Sequence, residues 1–347
     1  MNFRIDRWSA TALRSSLVAV TVVGTLLLTS CGGSGSENQS VTFQATRLIV
    51  FGDETSLLLP PSSPTALDAR KYSVNGFTPN TTPVNSVPDC RANQLWVQYL
   101  SSRYGLIFGE CNPNGAPVTA QMRAAYGARV DDLVRALDTF LATSTFGSKD
   151  LVTVMVGTHD VFELYDSLST GALTEAAAVI EAQRRGRLLA AQVDRIVKSD
   201  NSGGRVLYVP VPDVSQSPFA VSTANGLTDA QRTERVRLLT LISRSFNDKL
   251  RGTITNNGRS IGLVDAFQLF RNVINNAKAN DYANVTDAAC TTAVVTDCTS
   301  LTLQPANGTV NAATDFTWLW ADDRHLSAGG QELLGNRADS IVRNNPF

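Results

Sequence analysis

The chain lacks several features that define whole classes of proteins. Lysine plus arginine number 30 against 31 aspartates and glutamates, so the net charge of −1 gives no field that attracts a polyanion, and no nucleic-acid partner is expected. The 24 glycines and 13 prolines among 347 residues exclude collagen-like and low-complexity chains. Beyond the N-terminus, no uncharged apolar run reaches the roughly 20 residues of a membrane span. The remainder is long enough to bury one sizeable globular core.

The first thirty residues have the pattern of an export signal. Three arginines come before a mostly apolar stretch at 17–28, which has the length of a signal-peptide core. It ends in Leu-Thr-Ser-Cys31, which resembles the lipobox of bacterial lipoproteins. The resemblance implies that residues 1–30 are removed, that Cys31 anchors the chain in a membrane, and that the polar segment 31–45 is a flexible tether. By resemblance to lipoprotein sorting, Gly32 favours the outer membrane, facing the periplasm or the exterior; the alternative is an ordinary secretory signal with a chance cysteine.

Cysteine is scarce, and its count fits this compartment. Without Cys31, four cysteines remain, an even number in an oxidising environment. They have no Cys-x-x-Cys spacing, so metal binding by them is not expected. The sequence permits three pairings. We predict Cys90–Cys111 and Cys290–Cys298, because each pair brackets a turn-rich loop.

From residue 47 onward, short apolar segments alternate with amphipathic ones. The predicted strands cover 47–51, 151–156, 206–211 and 260–265, and the predicted helices cover 93–104, 129–143, 173–198 and 228–252. This alternation predicts a single α/β domain over 46–347, with three α/β/α layers around a parallel, doubly wound, flavodoxin-like sheet. Ligands of such sheets bind outside the carboxyl ends of the strands. The loops that follow the strands are therefore the place to look for chemistry.

Six short blocks of sequence resemble, in register, the SGNH/GDSL family of serine ester hydrolases. They are residues 50–53, 126–129, 156–160, 211–213, 281–290 and 322–325, and together they span nearly the whole chain after the leader. The resemblance implies an SGNH-hydrolase sheet and the hydrolysis of esters in acyl lipids or acetylated glycans, by a monomer with no cofactor. It also implies that His325 is the base, Asp322 the acid that orients it, and the backbone N–H of Gly127 a donor of the oxyanion hole.

Two positions depart from the family pattern. Glu54 stands where the family has its nucleophilic serine, and His159 stands where it has the oxyanion-hole asparagine. A glutamate that attacked an ester would give a reactive mixed anhydride instead of a stable acyl ester. Loss of a triad nucleophile typically leaves only about 10³–10⁴-fold catalysis over water. Whether this domain hydrolyses esters is therefore an open question at the level of sequence.

Three uses of Glu54 remain open. In the first, Glu54 pairs with His325, His159 bonds nearby, and the domain is a pseudoenzyme with a binding or structural role in the cell envelope. In the second, Glu54 is a general base on water, assisted by His325 and Asp322, and no covalent intermediate forms. In the third, Glu54 and the two histidines, which are the only ones in the chain, hold zinc or iron in a metal-dependent hydrolase.

Several other residues are expected to support the site. Asp53, Gly157 and Asp160 lie in the same loops as the departing positions. Ser56 is a conceivable substitute nucleophile, but a side chain two residues further along should point elsewhere. The Gly-x-Ser-x-Gly match at 258–262 follows a predicted helix and opens a predicted strand, the reverse of a nucleophile elbow, so we interpret it as chance.

Overall fold

The computed structural model describes most of the chain after the leader. The described residues are 43–78, 87–199, 204–223, 226–255, 258–306 and 311–344. The chain divides into two units, Met1–Ser40 and Val41–Phe347, and only the second contains described residues. The predicted signal peptide, Cys31 and most of the predicted tether therefore lie outside them. Within the described ranges, no helix combines the length and the apolar character needed to cross a membrane.

The folded part starts earlier than the sequence suggested. Phe43 and Ala45, which we assigned to the tether, are both buried in the core. The ring of Phe43 packs 4.3 Å from the guanidinium of Arg205 and meets Tyr104 edge-on. These two apolar residues, one position apart in a polar segment, are too few to form a pattern that predicts a folded element.

A five-stranded parallel sheet forms the centre of the molecule. Its strands are β1 Arg47–Gly52, β2 Ala120–Met122, β3 Asp150–Met155, β4 Arg205–Val209 and β5 Ile261–Leu263. They lie in the order β2-β1-β3-β4-β5, and every neighbouring pair is parallel. This is the predicted flavodoxin-like order, whose topological switch point lies between β1 and β3. The predicted strands are confirmed; β2, with only three residues, was missed.

Helices cover both faces of the sheet. They are α1 Trp96–Arg103, α2 Val130–Leu141, α3 Thr158–Ser169, α4 Glu175–Lys198, α5 Pro218–Val221, α6 Asp229–Thr253, α7 Ala266–Asn275 and α8 Ala328–Asn344. Alternate residues of β1 serve opposite layers, as the two-residue period of a strand requires. Leu48 and Val50 pack with α1, α7 and α8, whereas Ile49 and Phe51 pack with α2, α3, α4 and α6. The three-layer α/β/α prediction is confirmed.

Two disulfides stabilise two loop regions, one that encloses α1 and one that comes after residue 288 near the C-terminal part of the domain. They join Cys90 to Cys111 and Cys290 to Cys298, as predicted, each with a Cα–Cα distance of 5.8 Å. The second loop follows β6, Asn284–Ala288, which pairs in parallel with β7, Trp318–Trp320. This two-stranded sheet leads directly into the loop that carries Asp322 and His325.

Candidate active site

Glu54 emerges at the switch point of the sheet. β1 ends at Gly52, where a Cβ would collide with the carbonyl oxygen of Met155 at the end of β3. Asp53 donates its backbone N–H to that same oxygen over 3.0 Å, and its side chain accepts the N–H of Thr55 over 3.0 Å. The resulting short 3₁₀ turn, Glu54–Ser56, holds the Glu54 side chain at the carboxyl end of the strands.

The carboxylate of Glu54 lies within hydrogen-bond distance of three N–H donors from three separate segments of the chain. Its Oε2 accepts the backbone N–H of Gly127 over 2.9 Å. Its Oε1 lies 2.6 Å from Nε2 of His159 and 3.1 Å from Nε2 of His325. Glu54 is only 4% exposed. The structure thus places these four residues of the predicted site side by side, with three of them hydrogen-bonded to the carboxylate of the fourth, which the sequence did not reveal.

His325 is held between two carboxylates. Its Nδ1 lies 2.7 Å from Oδ2 of Asp322, while its Nε2 faces Glu54. The other oxygen of Asp322 accepts the backbone N–H groups of Arg324 and His325, over 2.9 and 2.7 Å, which fixes the loop. Because carboxylates accept hydrogen bonds, a histidine with both ring nitrogens against them donates from both and is an imidazolium.

The pKa shifts in the site favour a negatively charged Glu54 beside positively charged histidines. Burial raises the pKa of Glu54, but the hydrogen bonds from His159 and His325 and the charge of His159 outweigh it and hold that pKa well below its ordinary value. Burial lowers the pKa of His325, yet its hydrogen bonds to Asp322 and Glu54 raise it to about 10. His159 behaves in the same way: burial lowers its pKa, but the hydrogen bond to Glu54 and the negative charges of Glu54 and Asp53 together outweigh burial and raise it.

Asp53 lies behind this charge cluster. Burial, followed by the negative charge of Glu54, raises the pKa of Asp53 to about 7. Its Oδ2 has no hydrogen-bond partner among the described residues. Asp53 therefore supports the turn and does not serve as a second acid in the hydrogen-bonded cluster.

Glu54 engages the groups that the family resemblance assigns to the oxyanion hole. Gly127 has a φ of +69°, a conformation that favours glycine and that turns its N–H toward the carboxylate. His159 follows the end of β3, in the first turn of α3. In the predicted hydrolase both groups would stabilise a developing oxyanion. Here they are hydrogen-bonded to the protein's own carboxylate.

Two further predicted supporting residues, Ser56 and Asp160, also have structural roles. Ser56 is fully buried and accepts the indole N–H of Trp96 over 3.0 Å, so it is a packing residue and not a substitute nucleophile. Asp160 accepts the backbone N–H of Val130 over 3.0 Å and pairs with Arg185 over 3.1 Å, which ties α2 to α4. Burial raises the pKa of Asp160 to about 6.

Gly157 lets α3 begin close to α6, the helix of the same layer that carries Phe246. Its φ is +121°, and a Cβ there would lie 2.7 Å from the ring of Phe246 and 2.8 Å from Val211. Glycine is therefore required at this position by packing as well as by backbone conformation.

The geometry gives no support to the zinc or iron alternative. Within the described ranges, no group of three or more histidine, cysteine, aspartate or glutamate side chains is arranged to hold a metal ion. Glu54 contacts both histidines directly, so a cation between them would have to force these hydrogen bonds apart.

An aromatic wall, which the sequence analysis missed, lies against the two histidines. The rings of Tyr72 and Tyr126 are stacked with their centroids 5.1 Å apart. Tyr72 lies 5.7 Å from the ring of His325, and Tyr126 lies 6.2 Å from that of His159. Tyr126 belongs to the same short block as Gly127, which was the one available signal. Nothing local in the sequence links Tyr72 to the site.

A groove of about 360 Å³ opens beside His159. Its other lining residues are Arg129, Phe162, Glu163, Asp166, Ser167, Thr170 and Arg324. The guanidinium of Arg324 is held between the rings of Phe162 and Phe219, 4.3 and 4.4 Å from their centroids. The wall of the groove therefore combines charged and hydroxyl groups with apolar surface, and its Arg324 side is held firmly in place.

Comparison with known proteins gives a likeness of fold. No protein-family model matches the sequence, and no curated protein matches it. Among solved structures, it is similar to a lipolytic G-D-S-L family protein from Veillonella parvula, with 12% identity, 86% of this chain and 98% of that one covered, and a TM-score of 0.40. It is also similar to a mutant of an acetyl-xylooligosaccharide esterase from Geobacillus, with 12% identity, 87% and 95% covered, and a TM-score of 0.43.

A third similar structure is a phospholipase A1 from Streptomyces albidoflavus, with 14% identity, 86% and 99% covered, and a TM-score of 0.38. GDSL lipolytic proteins, esterases and lipases recur among the solved structures to which this chain is similar. Sequence identities and TM-scores as low as these do not show that this chain shares the activities of those proteins.

Proposed function

We propose that this protein is a lipoprotein of the cell envelope whose SGNH-type domain binds an ester-bearing acylated or acetylated ligand without hydrolysing it through an acyl-enzyme. The observation that carries the proposal is the position of the Glu54 carboxylate. It stands at the nucleophile position and takes the hydrogen bonds of Gly127, His159 and His325.

Serine-type chemistry has no nucleophile in this arrangement. The base His325 and its orienting partner Asp322 are in place, but the group that faces the base is a carboxylate. The neighbouring hydroxyl of Ser56 is bonded to Trp96 inside the core. A covalent intermediate of the ester type therefore has nowhere to form.

General-base catalysis by Glu54 is also disfavoured. A general base works best when its pKa lies near the working pH. The pKa of Glu54 is held well below that of an ordinary glutamate, and both of its oxygens already accept hydrogen bonds. A water molecule that approached this carboxylate would have to compete with an imidazolium and a backbone N–H.

The proposed envelope location rests on the leader. The lipobox-like end of the first thirty residues supports acylation of Cys31, and this anchor would hold the domain at a membrane surface. Metabolic labelling with a palmitate analogue tests it: we expect label on the wild-type chain and none on Cys31→Ser.

Ester hydrolysis by the full chain tests the main proposal. We expect nitrophenyl acetate and nitrophenyl hexanoate to be hydrolysed only at the background rate in the presence of the wild type. Glu54→Ser should hydrolyse them faster. That gain should disappear in the double variant Glu54→Ser/His325→Ala, because the new serine depends on the same base. A wild type that hydrolyses these esters, and that loses the activity in Glu54→Ala, would show that Glu54 performs chemistry and would overturn the proposal.

A further inference from the structure

The amino end of the central sheet carries a cluster of arginines that the candidate site does not use. Arg205 opens β4, Arg259 lies two residues before β5, Arg103 ends α1, and Arg343 lies in the last turn of α8. All five strands are parallel, so they start at the same edge of the sheet, and α1 and α8 end at that edge because both begin beside the candidate site. These four arginines, which we call the amino-end cluster, therefore lie at the opposite end of the domain from Glu54.

Positive charge exceeds negative charge in the amino-end cluster. Arg103 and Arg343 share one carboxylate, that of Asp339, over 3.5 and 2.7 Å. Burial and the negative charge of Asp339 raise the pKa of the nearby Tyr104. The positive charges that oppose this shift belong to Arg103, Arg205 and Arg343. One carboxylate is therefore shared among several guanidinium groups around the same tyrosine.

Arg205 is the member of the cluster whose charge is least compensated. Its guanidinium lies 4.3 Å from the centre of the Phe43 ring, which holds it in place. It forms no hydrogen bond and no ion pair with any residue that the structure describes. Burial, followed by the positive charge of Arg259, lowers the pKa of Arg205. A guanidinium held in this way can offer its N–H donors to an anion from outside, and phosphate matches its geometry.

The other three arginines of the cluster reach solvent. The side chains of Arg103 and Arg343 are 51% and 44% exposed, and Arg259 is exposed as well. The four arginines come from four separate elements or loops, so their charge is spread over a surface and is not gathered in one pocket. A surface that carries many phosphate groups matches such a spread of charge better than a single small anion does.

The chain enters the domain at this same edge. Phe43, the first described residue, packs on Arg205 and meets Tyr104 edge-on. It comes twelve residues after Cys31, the proposed lipid anchor. The eleven residues between them can span at most about 40 Å, even when fully extended. An anchor at Cys31 would therefore be attached to the domain at the edge that carries the amino-end cluster.

We propose that the amino-end cluster docks on the anionic phospholipid headgroups of the membrane that holds the anchor. The negative potential of such a surface attracts the excess positive charge of the cluster. A weak attraction is sufficient, because the anchor keeps the cluster at a high effective concentration of lipid. The lipid phosphates pair with the guanidinium groups of Arg103, Arg205, Arg259 and Arg343.

This docking sets the direction in which the candidate site faces. Glu54 lies at the carboxyl end of the strands, so a domain docked through their amino end turns the site away from the anchoring membrane. The ligand then reaches the site from the surrounding compartment and not from that bilayer. The inference rests on the proposed envelope location and names an anionic lipid surface as the partner of the opposite face.

Energy transfer from the protein to labelled lipid tests this orientation. The full chain, purified with its anchor, is added to vesicles of phosphatidylcholine, with or without one quarter phosphatidylglycerol, that contain a headgroup-labelled acceptor lipid. A donor dye is attached to Ser102→Cys, beside the cluster, or to Tyr126→Cys, at the candidate site; both positions are exposed. We expect stronger transfer from residue 102 than from residue 126 in the anionic vesicles. The difference should shrink without phosphatidylglycerol, and also in 1 M NaCl, where the Debye length is only about 3 Å.

Two double variants show whether the cluster is responsible. Arg103→Gln/Arg343→Gln removes two of its four charges and should lower the ratio of docked to undocked molecules by about 5-fold for each arginine, the usual effect of one basic side chain near an anionic surface. Arg184→Gln/Arg187→Gln removes the same charge from exposed positions on α4, so it should leave the energy transfer unchanged.

Three outcomes would overturn the inference: equal transfer from residues 102 and 126 in the anionic vesicles, transfer that does not depend on phosphatidylglycerol, or an equal loss of transfer in the two double variants. Flotation of the vesicles on a density gradient separates these outcomes from failure of the anchor. A chain that floats with both kinds of vesicle but shows equal transfer refutes only the docking surface. A chain that floats with neither refutes the proposed envelope location, and the inference with it.

Discussion

The imidazole of His325 lies between two carboxylates, 3.1 Å from Glu54 through Nε2 and 2.7 Å from Asp322 through Nδ1. In a serine hydrolase, the first of these contacts would be made to a neutral hydroxyl, and the histidine would be free to take its proton. Here the partner is an anion. The histidine is therefore protonated in the resting protein and has no capacity left to act as a base.

Stability should fall between neutral and alkaline pH because of this arrangement. The pKa of His325 is about 10 in the folded protein, against 6.5 as its ordinary value. A group whose pKa is raised in the folded state stabilises that state relative to the unfolded chain. For His325 this contribution is complete below pH 6.5 and is lost as the pH rises toward 10. Urea unfolding at pH 6, 8 and 10 measures this effect. The free energy of unfolding should fall more steeply with pH for the wild type than for His325→Gln. Parallel curves for the two proteins would contradict the assignment of an imidazolium.

Removal of the Glu54 charge should destabilise the fold as well as change the site. Glu54→Gln leaves the positive charge of His325 without one of its two partners in a buried site, and breaking a buried ion pair in this way typically costs about 3–5 kcal/mol. Glu234→Gln removes an exposed glutamate that pairs with Arg237 on a helix surface, where solvent screens the charges, so it should leave the free energy of unfolding nearly unchanged. Equal unfolding free energies for the two variants would mean that the buried cluster contributes no more than a surface pair.

The substitution Ser56→Ala tests whether Ser56 has a structural role or a catalytic one. The substitution leaves the buried indole N–H of Trp96 without its acceptor, at a cost of about 1–3 kcal/mol in the free energy of unfolding. It should leave the esterase activity gained by Glu54→Ser unchanged when the two changes are combined. Loss of that activity, in a protein that is still folded at the assay temperature, would indicate that Ser56 is a nucleophile.

Much of this architecture could be predicted from the sequence, because its physical basis is local. The apolar runs of β1, β3 and β4 and the periodic stripes of α4 and α6 determine the layers and the order of the sheet. The three residues of β2 carry too little pattern to be recognised as a strand. The helix α3 was overlooked because its first turn, with His159 and Asp160, resembles a motif more than it resembles an amphipathic face.

The site could be predicted only as a set of neighbours. The family resemblance placed Glu54, His159 and His325 in one pocket. It could not show that the Glu54 carboxylate would take up the hydrogen bonds of the oxyanion-hole groups, because this depends on side-chain rotamers and on distances of a few tenths of an ångström. Tyr72 could not be found at all, since its position depends on Lys71, Asn75 and two disulfide loops that are distant in sequence.

Two glycines with positive φ should respond very differently to substitution. Gly157→Ala places a methyl group within 3 Å of both Phe246 and Val211, so overpacking adds about 1–3 kcal/mol to the strain of the backbone. Gly171, with a φ of +74°, has open space around the same position, so Gly171→Ala should cost only the backbone strain, about 1–2 kcal/mol. Thermal unfolding of the two variants measures the difference. A larger effect at Gly171 would contradict the close approach of the start of α3 to Phe246 and Val211.

His159 should become an oxyanion-hole donor once a nucleophile is restored. In the wild type its Nε2 lies 2.6 Å from the Glu54 carboxylate, which is where a negative oxygen would develop if residue 54 were a serine attacking an ester. In the Glu54→Ser background, His159→Ala should therefore lower kcat for nitrophenyl acetate by about 10²–10³-fold, the usual effect of losing one such donor. His159→Asn supplies an amide N–H at the same position and should retain most of the activity. If His159→Ala and His159→Asn lowered kcat equally, His159 would be no more than a neighbour of the reacting oxygen, and Gly127 would be the donor that the engineered serine uses.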